Sequence, residues 1–483
     1  MSIPRIMIAA PKSGSGKTLI TCSLLSALKK KNIDVVSCKC GPDYIDPMFH
    51  RTVIGIPSEN LDTYFTGEEK TIEIFDSFSS GYDMAVIEGV MGLYDGVGGI
   101  SEIGSSYHLA KVTDTPIVLV VDAHGMGRSI IPIIEGMLSY DENKLIKGII
   151  LNRISKSFYE TIGVLIKEAL AEDKYDVKLL GYFEKRDELT ISSRHLGLKL
   201  PSEIDDIKDK LDTSADYISK TVDIEELIKI ADGEDNNCNN KANKCNITAN
   251  SDKSELSDFS VFKSEPDNNI DDSNKKYDLT LAVARDEAFC FYYDANIRMF
   301  KERGVKIKYF SPLHDERLPE DVDGLLLGGG YPELYGEELA KNKSMLSSVK
   351  KAISDGLPSL AECGGFMYLH KELEDDKGKT NALVGVIDAK VSYTGKLVRF
   401  GYVELSDKKS RFLFDDNKIK GHEFHYYDST DNGMDVKAVK PITEKTWDCC
   451  YVSDDHWWGF PHLYYPSCPD FVDEFVRRMM ERK

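Results

Sequence analysis

Short apolar runs recur through the first third of the chain, at residues 5–10, 35–40, 84–87, 117–122 and 146–152. Each is apolar almost throughout rather than alternating, as in strands buried on both faces. Helical segments separate them, the first over 19–31. This alternation predicts an α/β fold with a doubly wound, mostly parallel sheet. A second series opens at 279. It predicts strands at 279–283, 305–310 and 324–327, a helix over 291–303, and a strand–turn–helix around Cys363. Between the series, residues 232–277 are dominated by Asn, Asp, Ser and Lys and hold too few apolar positions for a core. The expected organisation is a first domain over 1–231, a polar, disordered linker over 232–277 and a second α/β domain over 278–483.

The first apolar run leads into Pro11-Lys12-Ser13-Gly14-Ser15-Gly16-Lys17-Thr18 and then a helix. A strand before and a helix after make this a P-loop in its proper context, although Pro11 replaces the usual first glycine. Backbone N–H groups from Ser13 to Thr18 would cradle phosphates, Lys17 would reach the β- and γ-phosphates, and Thr18 would hold Mg²⁺. The run at 35–40 ends in Gly41-Pro42-Asp43-Tyr44-Ile45-Asp46-Pro47. Two carboxylates beyond the carboxyl end of a strand suit metal or substrate contact. Read in isolation, this loop is better explained as an ordinary Asx turn. Glu88 follows the run at 84–87 directly, where P-loop enzymes place a second Mg²⁺ contact.

Leu360-Ala361-Glu362-Cys363-Gly364-Gly365 puts a thiol on a sharp elbow between strand and helix. The helix N-terminus should lower the thiol pKa and favour thiolate. Cys363 is therefore the candidate nucleophile, against the alternative of a core cysteine beside a turn. Gly328-Gly329-Gly330 offers backbone N–H groups for an oxyanion hole. A base must follow, and His422, His425, His456 and His462 all lie late enough; sequence order does not choose among them. Cys449, Cys450, His456 and Cys468 are too irregularly spaced for a zinc site, as are Cys238 and Cys245.

The net charge of −20 disfavours nucleic-acid backbones and anionic lipid. No apolar run reaches the roughly 18 residues of a membrane span, no leader pattern opens the chain, and ten scattered cysteines fit a reducing compartment. A cytoplasmic protein is expected.

Taken together, GPDYIDP (41–47), NLDT (60–63), EGVMGLYDG (88–96), RHLGL (194–198), VARDEAFCFYY (283–293), LGGGYPEL (327–334), AECGGFMYL (361–369) and GHEFHY (421–426) resemble the cobyrinate a,c-diamide synthase family of cobalamin-pathway glutamine amidotransferases. The resemblance covers nearly everything outside the linker. It implies an N-terminal domain binding Mg²⁺, ATP and cobyrinate, with Asp43, Asp46, Glu88 and Asp95 as acids of the ATP and substrate site, and Thr18, Asp43 and Glu88 as metal contacts. It implies a C-terminal domain like class I glutamine amidotransferases, with Cys363 as nucleophile and His462 as its activating histidine. The position two residues on, an acid in the wider class, is Tyr464, which implies a Cys–His dyad. Gly330 and Gly364 N–H groups would hold the oxyanion.

The implied chemistry activates a carboxylate with ATP, as an acyl phosphate, and delivers ammonia released from glutamine by a path shielded from bulk water. Arg194, Arg285 and Arg399 are candidates for a basic pocket facing a polycarboxylate, and His195 is a candidate for a ligand contact or, equally, a structural histidine. Residues 449–458 depart from the family's expected Gly-Asn-containing loop, so that loop is expected to be remodelled. Rival readings are the same chemistry on Ni-sirohydrochlorin in coenzyme F430 synthesis, a cobyric acid synthase, a partitioning-type P-loop switch, and a scaffold with a dead glutaminase. Oligomeric state is left open, with a homodimer as one option.

Overall fold

The P-loop strand lies at the centre of a seven-stranded, wholly parallel sheet. In the computed structural model, which describes residues 3–186, 207–233, 278–414 and 417–483, this sheet comprises β1 (Arg5–Ala9), β2 (Val35–Cys40), β3 (Ser58–Leu61), β4 (Met84–Glu88), β5 (Ile117–Asp122), β6 (Ile146–Asn152) and β7 (Lys178–Phe183). Their order is β3-β2-β4-β1-β5-β6-β7. The reversal of order on either side of β1 leaves a crevice at the carboxyl ends of β1 and its neighbours, where ligands bind in such sheets. The buried cluster that includes Met7, Val36, Ile87, Leu119 and Ile149 forms the core of this unit.

A second sheet is built from β8 (Leu279–Ala284), β10 (Val305–Phe310), β11 (Gly324–Leu327), β13 (Ser359–Glu362), β22 (Tyr451–Val452) and β23 (His456–Gly459). The order is β10-β8-β11-β13-β23-β22, parallel except for β22. Short strands β9 (Phe289–Phe291) and β12 (Gly329–Gly330) pair with each other. Two further sheets use β14 (His370–Glu374), β15 (Thr380–Ala382), β16 (Ile387–Tyr393) and β19 (Tyr427–Ser429), and β17 (Arg399–Asp407), β18 (Ile419–His425), β20 (Val436–Val439), β21 (Thr446–Cys449) and β24 (His462–Leu463). These mixed and antiparallel sheets had no counterpart in the apolar-run pattern.

By internal contact the described residues fall into two units. One holds those of Met1–Leu61, Glu68–Asp95 and Ser105–Lys263; the other holds those of Asp62–Gly67, Gly96–Gly104 and Ser264–Lys483. The helix expected over 291–303 is observed at Asp294–Glu302, because Phe289–Phe291 is drawn into a strand with Gly329–Gly330. Asp232, expected in the linker, ends the helix Ile224–Asp232, with Gly233 as a left-handed cap. The rest of that segment, with Cys238 and Cys245, and the motif containing Arg194 and His195, lie outside the described residues. Among the described residues, no helix is long and apolar enough to cross a membrane.

Candidate active sites

In the first unit, the loop after β1 turns through left-handed Gly14 and Gly16 into the helix Lys17–Lys30. Lys12, Ser13 and Gly14 are exposed at its crest, while Ser15 is buried and its Oγ donates to the Lys12 carbonyl at 2.9 Å. Gly16 is required twice over: its φ is +94°, and a Cβ there would lie 2.2 Å from Asn152 Nδ2. Asn152 donates to the Ser15 carbonyl (2.7 Å) and Arg153 to the Gly14 carbonyl (3.0 Å), so the end of β6 braces the loop. Lys17 Nζ donates to the Met91 carbonyl at 2.5 Å, on the same loop as Asp95, whose Oδ2 accepts from Gly92 N–H at 3.0 Å. Burial, then the nearby Lys39 ammonium, lowers the Lys17 pKa to about 8.

Parallel pairing of β2 with β4 sets Lys39 opposite Glu88. Around Lys39 Nζ stand Asp46 Oδ2 (2.5 Å), Glu88 Oε1 (3.0 Å) and Asp43 Oδ2 (3.9 Å). Thr18 Oγ1 donates to Glu88 Oε1 at 2.6 Å. Thr18, Asp43, Asp46 and Glu88 are thus brought to one place, and Lys39 is a member the sequence reading missed. Burial pushes Glu88 upward, with Asp46 adding to it. Burial acts on Asp46 in the same sense, but Lys39, by charge and hydrogen bond, overrides it and holds Asp46 below its usual range. Lys39 itself resists its burial because three carboxylates face it. His50 is held neutral by burial, with its pKa down to about 4, and stands 3.5 Å from Glu88 Oε2. Asp43 also makes the Asx turn considered above: its Oδ1 accepts from Ile45 N–H (2.9 Å) and Asp46 N–H (3.2 Å).

In the second unit, β13 ends at Glu362 and the helix Gly364–Leu369 begins at once, with Cys363 between them at φ +46° and ψ −104°. That conformation is costly for a residue with a side chain and marks a strained elbow. Cys363 N–H donates to the Gly459 carbonyl at 2.9 Å, tying the elbow to β23. A Cβ on Gly365 would lie 2.1 Å from the Leu327 carbonyl, and one on Gly364 would lie 2.9 Å from Pro332 Cδ and 3.0 Å from Gly330 N. The glycine pair therefore lets the elbow press against β11 and brings Gly364 and Gly330 together. A Cβ on Gly329 would lie 2.3 Å from His462 Cε1, so His462 sits over the same glycine run.

The expected lowering of the thiol pKa is not what the structure gives. Cys363 is only 8% exposed, and burial, with Glu333, Glu423 and Glu362 around it, pushes the thiol well up. The Gly364 N–H opposes this only in part, because a six-residue helix adds little beyond that one group. His462 is buried beside His422 and His425, which holds its imidazole well below its usual range and therefore neutral. A neutral base thus shares this site with a protonated thiol.

Of the other candidate histidines, His422 pairs across β18 and β24 with His462, and their rings stack at 5.0 Å. His425 stacks on Phe460 at 4.2 Å, and His456 stacks on Trp458 and bonds Ser453. Of residues 449–458, Cys449 ends β21 in the five-stranded sheet, while Tyr451–Val452 and the strand from His456 belong to β22 and β23 of the nucleophile's own sheet. Among the described residues no group of three or more His, Cys, Asp or Glu could hold a metal ion. Arg285 lies over the Tyr309 ring and Arg399 over Trp447.

Known proteins match both parts of the chain. Residues 6–198 match the CobQ/CobB/MinD/ParA nucleotide binding domain, and residues 280–459 match the CobB/CobQ-like glutamine amidotransferase domain. The cobyrinate a,c-diamide synthase of Clostridium tetani is 39% identical over 479 residues, covering 98% of this chain and 99% of that protein. Those of Caldanaerobacter subterraneus (38% over 480 residues, 98% and 97% covered) and Thermoplasma volcanium (36% over 496 residues, all of both chains) are similar throughout. With a P-loop and acid cluster in one unit, a cysteine elbow in the other, and similarity of this extent along the whole length, the chain belongs to the cobyrinate a,c-diamide synthase family.

Proposed function

We propose that the chain is an ATP-dependent ligase that amidates the a and c carboxylates of cobyrinate with nitrogen from glutamine, in cobalamin biosynthesis. The observation that carries this reading is a strained cysteine elbow with a neutral histidine over the adjoining glycine run, in a chain that also holds a braced P-loop. A nucleotide switch has no use for a strained thiol of that kind.

The division of labour follows the two units. In the second, Cys363 Sγ attacks the side-chain carbonyl of glutamine and its proton passes to His462. Gly330 and Gly364 N–H groups face the oxyanion. Collapse to the glutamyl thioester expels ammonia, which takes the proton back from His462, and water then releases glutamate. Because the resting thiol is protonated, attack and proton transfer are coupled at the bound glutamine, and reactive thiolate is not left standing without substrate.

In the first unit, backbone N–H groups of Ser13 to Thr18 and the Lys17 ammonium receive the phosphates, and the substrate carboxylate takes the γ-phosphoryl group to become an acyl phosphate that ammonia displaces. The residues fit a magnesium ion: Thr18 Oγ1, Glu88 and Asp43 supply hard oxygen donors, and Glu88 Oε2 is buried without a hydrogen-bond partner among the described residues. When bound, the ion supplies neutralisation of phosphoryl charge. One or two carboxylates suffice for it when phosphates complete the shell. Lys39 holds Asp46 ionised and, by its bonds to both carboxylates, keeps Asp46 and Glu88 in place. The protein is read as acting in the cytoplasm.

The test is to offer purified protein cobyrinate or Ni-sirohydrochlorin with ATP and glutamine. Cobyrinate is expected to gain two amides. Amidation of Ni-sirohydrochlorin alone would overturn the substrate assignment and leave the mechanism standing.

A further inference from the structure

A dyad leaves open what fixes the histidine. The position where related enzymes place an acid is Tyr464, and its ring is engaged elsewhere, stacked on Phe65 at 5.0 Å and edge-on to Tyr293 at 5.0 Å. The strand that carries His462, β24, is only two residues long and pairs with β18 at Gly421↔Leu463 and His422↔His462. Two registered pairs do not by themselves fix a side chain to the tolerance that proton transfer needs.

The other edge of this segment is held by two buried side chains. Leu463 N–H donates to Glu362 Oε2 at 3.2 Å, and Tyr465 O–H donates to Glu362 Oε1 at 2.7 Å. Asn296 completes the grip: its Nδ2 donates to the Leu463 carbonyl (2.8 Å) and its Oδ1 accepts from Tyr465 N–H (2.9 Å). Glu362 is 6% exposed, and both its oxygens are engaged. It is also the residue immediately before Cys363, and its backbone is registered against Gly459. One side chain therefore joins the nucleophile's strand to the residue following the histidine. The His462 ring is set from its face by His422, whose Nδ1 lies 3.1 Å from Tyr293 Oη.

We propose that Glu362 is a positioning residue for His462, doing through the main chain what an orienting acid does through the imidazole ring. It touches neither glutamine nor the reacting atoms. Glu362 fixes the separation of Cys363 and His462 because its carboxylate accepts from Leu463 N–H and Tyr465 O–H while its main chain is peptide-bonded to Cys363. The proposal rests on the dyad reading given above.

The test uses the full chain with Glu362→Gln, which keeps the shape but presents an NH₂ group to one of the two donors. Glutamine hydrolysis is expected to lose kcat by about tenfold to a hundredfold with KM little changed, because the loss is in alignment rather than binding. Labelling of Cys363 by iodoacetamide, followed on its peptide, should slow in parallel. Amidation driven by ammonium chloride reports on the fold and should persist. Tyr465→Phe, removing one donor, should fall between the two. In a His462→Ala background, Glu362→Gln should slow Cys363 labelling no further, since a residue acting through His462 has nothing left to position. Equal slowing in both backgrounds, or parallel loss of ammonium-driven amidation, would make Glu362 merely structural and overturn the proposal. Full glutamine turnover by Glu362→Gln beside an inactive His462→Ala would refute Glu362 alone, whereas an active His462→Ala would refute the dyad and the proposal with it.

Discussion

Gly329→Ala would place one methyl group against His462, the histidine proposed as base for glutamine hydrolysis. Gly329 is not among the positive-φ glycines, so alanine meets no backbone penalty there. The cost is local: the new Cβ would lie 2.3 Å from His462 Cε1 and 3.0 Å from Nδ1. Carbon atoms in contact need about 3.5 Å, so the ring must retreat by about 1.2 Å. It cannot swing away freely, being 3% exposed and stacked on His422. A misplacement of about 1 Å costs on the order of 100-fold in rate. Glutamate release should therefore fall by about that factor, while ammonium-driven amidation, which needs neither Cys363 nor His462, should stay near wild type. Glutamine hydrolysis within about threefold of wild type would refute the placement of His462 as base; equal loss with both nitrogen donors would show general damage instead.

Lys39→Met should destabilise the first unit by about 3–5 kcal/mol, the usual result of leaving buried carboxylates without their counterion. Thermal unfolding should show the loss growing from pH 6 to pH 8, because protonation relieves Glu88 and Asp43 at the lower pH; a pH-independent loss would refute it. Asp62, in the second unit, accepts from Tyr402 O–H at 2.7 Å, and burial raises its pKa to about 6. A folded pKa above the unfolded value of about 3.9 means that the folded state holds the proton more tightly, so stability is lost as pH rises from about 4 to about 6. The loss is up to about 3 kcal/mol at 1.36 kcal/mol per pKa unit. Asp62→Asn should flatten that stretch of the stability–pH curve, and an unchanged slope would contradict it. Lys17→Ala should abolish ATP-dependent amidation with either nitrogen donor while leaving glutamine hydrolysis measurable; retained amidation would remove the P-loop from the reaction.

The parallel sheet was legible because its strands are apolar from end to end; residues 117–122 and 146–152 could be neither surface strands nor loops. The elbow was legible because two glycines after a cysteine have few other uses. What the chain hides is pairing. Lys39 is one polar residue inside an apolar strand, and only its register opposite Glu88 reveals a counterion. Asn152-Arg153 closes β6 without a recognisable motif, yet it braces the P-loop from well over 100 residues away. Glu362 reaches Leu463 across a similar separation. The thiol expectation failed for a related reason: a helix N-terminus can be read locally, but the burial of Cys363 and the carboxylates around it are set by tertiary packing. Phe291 was read as the start of a helix over 291–303 and is taken instead into a strand that pairs with Gly329–Gly330.

The central claim, that one chain frees ammonia at Cys363 and spends it on a carboxylate activated by ATP, is tested most directly by nitrogen tracing. Wild type and Cys363→Ala are each incubated with cobyrinate, ATP and either amide-¹⁵N glutamine or ¹⁵N ammonium chloride, and the corrinoid is weighed by mass spectrometry. The account predicts two labelled amides from both donors with wild type, and from ammonium alone with Cys363→Ala. Two labelled amides from glutamine with Cys363→Ala would contradict it.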